Sequence, residues 1–162
     1  MAITSYLSRV IYMEYSGDLK KINLAGTYNL LLAARSIPSP TSAPNMVEST
    51  TTEDDTQTFE MGIKQTSSKE FVGNLDKSDF DKLLAVGNKK CIIIQLYGTD
   101  GVGGVAKSAY VGQITPTVND IGGTDEIVEM TATVAQNTSP KWVTDDITVV
   151  DNKDGTFTVA AV

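Results

Sequence analysis

From Glu126 to Gln136 the chain reads EIVEMTATVAQ, and apolar and polar residues alternate from Val128 to Val134. Val128, Met130, Ala132 and Val134 fall on one side, with Glu129, Thr131 and Thr133 on the other. A period of two is the mark of a half-buried strand. The same period in TQTFEMGIKQT sets Phe59, Met61 and Ile63 against Thr58, Glu60 and Lys64. KEFVGNL continues in that style after Ser67-Ser68, which predicts a hairpin between the two segments. KCIIIQLYG is apolar without alternation, a pattern expected of a strand covered on both faces. AKSAYVGQITPTVN reads as a long strand with Pro116 near its end, and ITVVDNKDGTFTVAAV as a hairpin turning at Asp154-Gly155. RVIYMEY reads as a strand, and LKKINLAG as its return after a Ser-Gly-Asp turn. TYNLLLAAR fits a helix or a strand, and it reads as a strand although its β-branched content is low.

The clearest helical signal is SDFDKLLAVG. Ser78 is a candidate N-cap, and Asp79 and Asp81 suit the positive end of the helix dipole. Phe80, Leu83 and Leu84 are spaced to form one apolar face, and Gly87 can end the helix. Two turns of helix need a sheet to lie on. The expected fold is mainly β, with two packed antiparallel sheets (a sandwich or partly open barrel) and one short flanking helix. Residues 1–162 are expected to form a single domain, with 36–55 as an extended loop and 145–162 as a C-terminal hairpin or tail.

That loop, SIPSPTSAPNMVESTTTEDD, is the one long segment without an apolar period. Its prolines Pro38, Pro40 and Pro44 oppose both helix and ladder pairing. Loops of this length are uncommon in compact domains unless disordered or functional. Every charge between Arg35 and Lys64 is negative.

Composition narrows the chemistry. The 162 residues carry a net charge of −7, the wrong sign for a face that wraps nucleic-acid phosphates. There is no histidine, the usual base of nucleophile triads and a common metal ligand. Cys91 is the single cysteine, so no disulfide forms within the chain, and its apolar surroundings predict a buried strand residue. The N-terminal residues lack a secretory pattern, and no stretch reaches a membrane span, so a soluble, cytosol-made protein is expected.

GVGGVAKS, residues 101–108, approaches a phosphate-binding loop, but Ala106 replaces its second glycine. The segment beyond it reads as strand, where such a loop needs a helix. A glycine loop between two strands is the expectation. Glu53, Asp54 and Asp55, and again Asp145 and Asp146, are clustered carboxylates without calcium-loop spacing, expected in solvated loops. Trp142, in SPKWVTDD, suits a sugar platform or, as preferred here, the plug of a sandwich edge or a subunit contact. No catalytic set, cofactor or metal is expected.

The order of these pieces resembles the major tail tube proteins of long, non-contractile bacteriophage tails. The proline-bearing loop runs through Glu48, Thr50 and Asp54 into an alternating strand. KEFVGNL, a short helix and CIIIQLYG follow, then YVGQI, a glycine turn and the strand from Glu126 to Val134. The resemblance covers roughly residues 27–140 and rests on loose patterns. The immunoglobulin-like C-terminal domain that some members add is not part of the pattern, and residues 1–25 and the last hairpin have no counterpart assigned.

The resemblance implies two packed sheets flanked by a helix, and six copies in a ring whose inner sheets join edge to edge around a channel. Stacked rings would form a tube, assembled in the host cytoplasm and carried in the virion tail. Its partners would be further copies of itself, a tape-measure protein and end-capping proteins. DNA would pass without specific binding, and no membrane is involved. Candidate inter-subunit residues are Pro38, Pro40, Pro44, Met46, Val47, Glu48, Glu53, Asp54 and Asp55. Candidates for the channel wall are Glu60, Glu129 and Thr131. The alternatives are the inner tube of a contractile tail-like particle and a carbohydrate-binding or adhesin-like β-sandwich module.

Overall fold

The computed structural model describes residues 6–40, 46–53, 55–61 and 68–162. The chain is mainly β, as its pattern predicts. In order it runs through β1 (Arg9–Glu14), β2 (Gly26–Leu30), β3 (Ala34–Ser36), β4 (Met46–Glu48), β5 (Phe59–Met61), β6 (Lys69–Asn74), α1 (Lys77–Val86), β7 (Lys90–Tyr97), β8 (Ala106–Val118), β9 (Glu129–Gln136), β10 (Lys141–Trp142), β11 (Ile147–Asp151) and β12 (Thr156–Ala161). Ten strands form one curled antiparallel sheet in the order β11-β12-β2-β1-β7-β8-β9-β6-β3, with β10 paired to β8. Strands β4 and β5 form a separate two-stranded ribbon.

The predicted layers are therefore parts of one continuous sheet around a central wall of β1, β7 and β8. Side chains leave the two faces of this wall for two different cores. Val10, Tyr12, Cys91, Ile93 and Tyr110 enter the first, which Phe71, Met130, Ala132, Val134 and Leu83 complete. Ile11, Ile92, Ile94, Leu96 and Val111 enter the second, closed by Val143, Val149, Phe157 and Val159. This accounts for the unbroken apolar run of β7, in which Cys91 through Leu96 are all buried. Thr131 and Thr133 stay half-exposed while Met130, Ala132 and Val134 are sealed, as the alternation of β9 requires. Pro116 lies where β8 is paired to β9 alone, past the last β7 partner at Gln113, so its missing N–H breaks no ladder on the other side.

The segment TYNLLLAAR is two strands. β2 pairs with β1 and β12, whereas β3 pairs with β6 at the far edge. Three residues join them, and two of these, Leu31 and Leu32, are buried in the first core. The sheet must curl for so short a link to reach both places. The crossing passes so close to β6 that a Cβ on Gly73 would run into the Ala33 carbonyl and Leu32.

Local side-chain chemistry corrects several expectations. LKKINLAG forms no strand over residues 18–25. The Asp18 carboxylate accepts from the Lys20 N–H (2.9 Å) and the Asn23 side chain from the Ala25 N–H (3.1 Å), which bends the chain into turns. The N-cap of α1 is Asp76, not Ser78: its carboxylate accepts from the N–H groups of Ser78 (2.9 Å) and Asp79 (3.3 Å). Leu83 and Val86 are the buried helix residues, and Leu84 is exposed, because α1 is rotated so that its i, i+3 row meets the sheet. Gly87 does end the helix, at φ 62°. The predicted β5–β6 hairpin is absent: β5 pairs with β4, and β6 with β9 and β3. Phe59 and Met61 are accordingly exposed, with no sheet behind them among the described residues. Ile63 and Ser67 lie outside the described residues.

The C-terminal hairpin pairs Ile147 with Ala161 through Asp151 with Phe157. Lys153 and Gly155 both take positive φ in its turn, and Asp154 accepts from the Thr156 N–H (3.0 Å).

Burial of both faces of β7 predicts that Ile93→Ala destabilises the protein by about 2–5 kcal/mol. Leu84→Ala, on the exposed side of α1, should stay within about 0.5 kcal/mol of wild type. Urea unfolding followed by circular dichroism checks both.

Candidate functional site

The 36–55 loop is rigidly held at its start. Gln95, fully buried on β7, donates from Nε2 to the Pro38 carbonyl (2.8 Å) and to the Tyr97 hydroxyl (2.9 Å). Tyr110, on the neighbouring strand, donates its hydroxyl to Gln95 Oε1 (2.9 Å). Lys69, at the start of β6 and 7% exposed, donates from Nζ to the Ser39 carbonyl (2.8 Å). Pro38 is half-buried and Pro40 buried. Buried polar groups need such partners, since an unpaired one costs about 1–3 kcal/mol. Burial lowers the Lys69 ammonium below its ordinary value of 10.5 and raises the Tyr110 hydroxyl well above its own.

Beyond this anchor the loop changes character. Met46, Val47 and Glu48 form β4 and pair with Met61, Glu60 and Phe59 of β5. The ribbon ends in a hydroxyl lattice. Ser49 N–H donates to the Thr58 carbonyl (3.0 Å), and Thr58 N–H to Thr50 Oγ1 (2.8 Å). Gln57 donates to the Glu48 carboxylate at 3.1 Å. Glu53 and Asp55 lie exposed in the turn; the Glu53 N–H donates to Thr51 Oγ1, and Asp55 accepts from the Thr56 hydroxyl. Pro44 and Asp54 lie outside the described residues.

Opposed residues in an antiparallel pair point to the same side. Met46, Met61 and Phe59 therefore share one face of the ribbon with Glu48, while Val47 and Glu60 share the other. Met46, Phe59 and Met61 are 58, 54 and 74% exposed, an apolar face with nothing packed on it among the described residues. The loop candidates thus divide into a buried anchor at Pro38 and Pro40 and an exposed ribbon from Met46 onward.

The three wall candidates do not share a sheet. Glu60 is on the ribbon. Glu129 and Thr131 stand on the outward face of β9, next to Thr133 and opposite Thr117 and Thr115 of β8. Arg35 of β3 pairs with Glu129 (3.0 Å), and the Thr131 hydroxyl donates to Asn119 Oδ1 (2.5 Å). The result is a hydroxyl-rich wall with an acidic edge partly balanced by one arginine.

The remaining motifs fall into structural places. GVGGVAKS turns the chain from β7 to β8. The Asp100 carboxylate accepts from the N–H groups of Val102 (3.1 Å) and Gly104 (3.2 Å), which holds that acid below the usual carboxylate range. Lys107 is buried and donates to the Thr144 carbonyl (3.1 Å), and β8, not a helix, follows. Asp145 and Asp146 are exposed between β10 and β11. No three His, Cys, Asp or Glu side chains converge on a metal position among the described residues. Trp142 is on β10, paired with Ser108 and 54% exposed. Cys91 is buried, and burial, with the charge of Glu14, pushes its thiol up to about 11.

Sequence reasoning missed the anchor. Its signal was a lone glutamine inside CIIIQLY, where every neighbour is apolar, and a lysine opening KEFVGNL.

No protein-family model matches the chain, and no curated protein matches it. Among solved structures it is similar to a chain in the cryo-EM structure of the anti-feeding prophage (AFP) baseplate, 6-fold symmetrised. The TM-score is 0.58 at 9% sequence identity, covering 88% of this chain and 95% of that chain. At that identity the likeness is one of fold: this chain has the fold of a component in a prophage baseplate structure. The narrower resemblance to non-contractile tail tubes is not part of what that likeness shows.

Lys69 gives a pH signature. Between its lowered folded value and 10.5 the unfolded chain binds more protons, so stability rises with pH in that window. Wild type should therefore gain stability relative to Lys69→Met as pH climbs from neutral towards 10, read from paired urea titrations. Gln95→Leu leaves the Pro38 carbonyl and the Tyr110 hydroxyl without this partner, and should cost about 1–3 kcal/mol and speed proteolysis within residues 39–61.

Proposed function

We propose that this chain is a structural subunit of a phage tail or phage-derived tail-like particle, working by geometry and self-association. Copies would close into hexameric rings, and stacked rings would form a channel for DNA. The observation that carries this reading is the pairing of a prophage-baseplate fold with unpaired association surfaces on one small chain. The sheet ends at β3 and β11, each hydrogen-bonded on one side only among the described residues. Open edges invite pairing with another chain. The β4–β5 ribbon adds an exposed apolar face. The six-fold symmetry stated for the similar structure supports a ring of six.

The net charge of −7 suits a conduit that DNA passes without sticking. Glu129 and Thr131 are the wall residues this reading keeps together; Glu60 belongs to the contact ribbon instead. A tape-measure protein and end-capping proteins would be the other partners, with assembly in the host cytoplasm and residence in the virion tail. The tube of a non-contractile tail is the reading favoured by the sequence pattern. The second reading is a ring at the baseplate end, or the inner tube, of a contractile tail-like particle, and the baseplate neighbour favours it.

Sedimentation of the purified chain over a concentration series tests the reading. Wild type should form species that are multiples of six copies. Thr148→Lys/Val150→Lys, which charges two exposed positions on the β11 edge, should remain monomeric with unchanged circular dichroism. A wild type that stays monomeric and binds calcium or a glycan saturably would overturn assembly in favour of a binding module.

A further inference from the structure

A cavity of about 180 Å³ lies beneath the chain linking β1 to β2. Its floor is Ile92, Ala109, Val111 and Val143, and Leu19, Ile22 and Leu24 form one wall. The rim is polar: Lys20, Lys141, Thr138 and Ser139. Neither lysine has an ion-pair partner among the described residues. Cofactor-sized ligands occupy sites of about 300–1,000 Å³. A dry apolar void of about 150 Å³ accepts a benzene ring. The cavity is thus sized for one apolar side chain, and its rim is set to meet a carboxylate.

The same chain presents that chemistry elsewhere. Phe59 and Met61 project from the β4–β5 ribbon beside Glu48, with Glu60 on the reverse face and Glu53 and Asp55 in the turn. No basic residue lies among the described residues of that segment. We infer that the cavity is the socket for the β4–β5 ribbon of a second copy of this chain, one side chain of the apolar face entering it while Glu48, on that same face, meets Lys20 and Lys141. The inference rests on the assembly reading above and names the surface that receives the ribbon. Ribbon and socket are different patches, so the contact is head-to-tail and each copy both gives and receives. Such contacts close into a ring or continue into a stack, according to the rotation they impose.

The test uses full-length chains carrying one new cysteine each. Met61→Cys and a size-tagged Ser139→Cys are mixed and oxidised mildly; Cys91 is buried and does not compete. A disulfide-linked tagged–untagged pair is expected. It should be absent when Leu84→Cys, on exposed α1, replaces Ser139→Cys. In parallel, Lys20→Glu/Lys141→Glu should lose association and regain it when mixed with Glu48→Lys. Oligomers that form without the 61–139 link, or charge reversal without rescue, would overturn the socket and leave the assembly reading standing. Failure of every copy to associate would overturn both.

Discussion

Everything in this molecule hangs on the burial of both faces of β7. A strand covered on one side can end a sheet, but Cys91, Ile93 and Gln95 look into one half while Ile92, Ile94 and Leu96 look into the other. With β1 and β8 as its neighbours, β7 becomes a wall shared by two cores. One half is roofed by α1 and by the Leu31–Leu32 crossing, the other by the C-terminal hairpin. The curl of the sheet is a consequence, since three residues must carry the chain from β2 to β3, six places away in the strand order.

The polar exceptions in that wall explain how an extended loop is mounted. Gln95 and Lys69 are buried among apolar neighbours, and both spend donors on carbonyls at the root of the 36–55 segment. A root fixed by buried hydrogen bonds carries a ribbon whose Met and Phe side chains have no cover. Ordering the root within the monomer would lower the conformational cost of the docking proposed for the ribbon. Stiff at the base and apolar at the end is the combination expected of an assembly element, and it turns the proline-bearing stretch from an anomaly into a mounting.

Much of the fold was legible because period and burial agree. β9 alternates and is sealed on one face; β7 does not alternate and is sealed on both; Asp154-Gly155 turns a hairpin. Pairing was less legible. Phe59 and Met61 alternate as a core strand would, yet their partner is Met46–Glu48 across a turn, and no layer lies behind them among the described residues. Periodicity reports which residues share a face, not what that face meets. The cap of α1 moved by two residues because Asp76 and Ser78 are both good N-caps and the sequence alone does not rank them. The loop itself was legible from its prolines and acids, whereas its anchor depends on contacts 30 and 57 residues away in sequence, which no local pattern encodes.

A fold shared with a prophage baseplate chain, two open sheet edges and an acidic, hydroxyl-rich face of β9 are the observations behind the proposal of a subunit that acts by assembling. Negative-stain electron microscopy of the concentrated protein tests that claim most directly. The account predicts rings or striated tubes with a central hole and six-fold averages. Separate particles without a hole, from protein that instead binds calcium or a glycan, would contradict it.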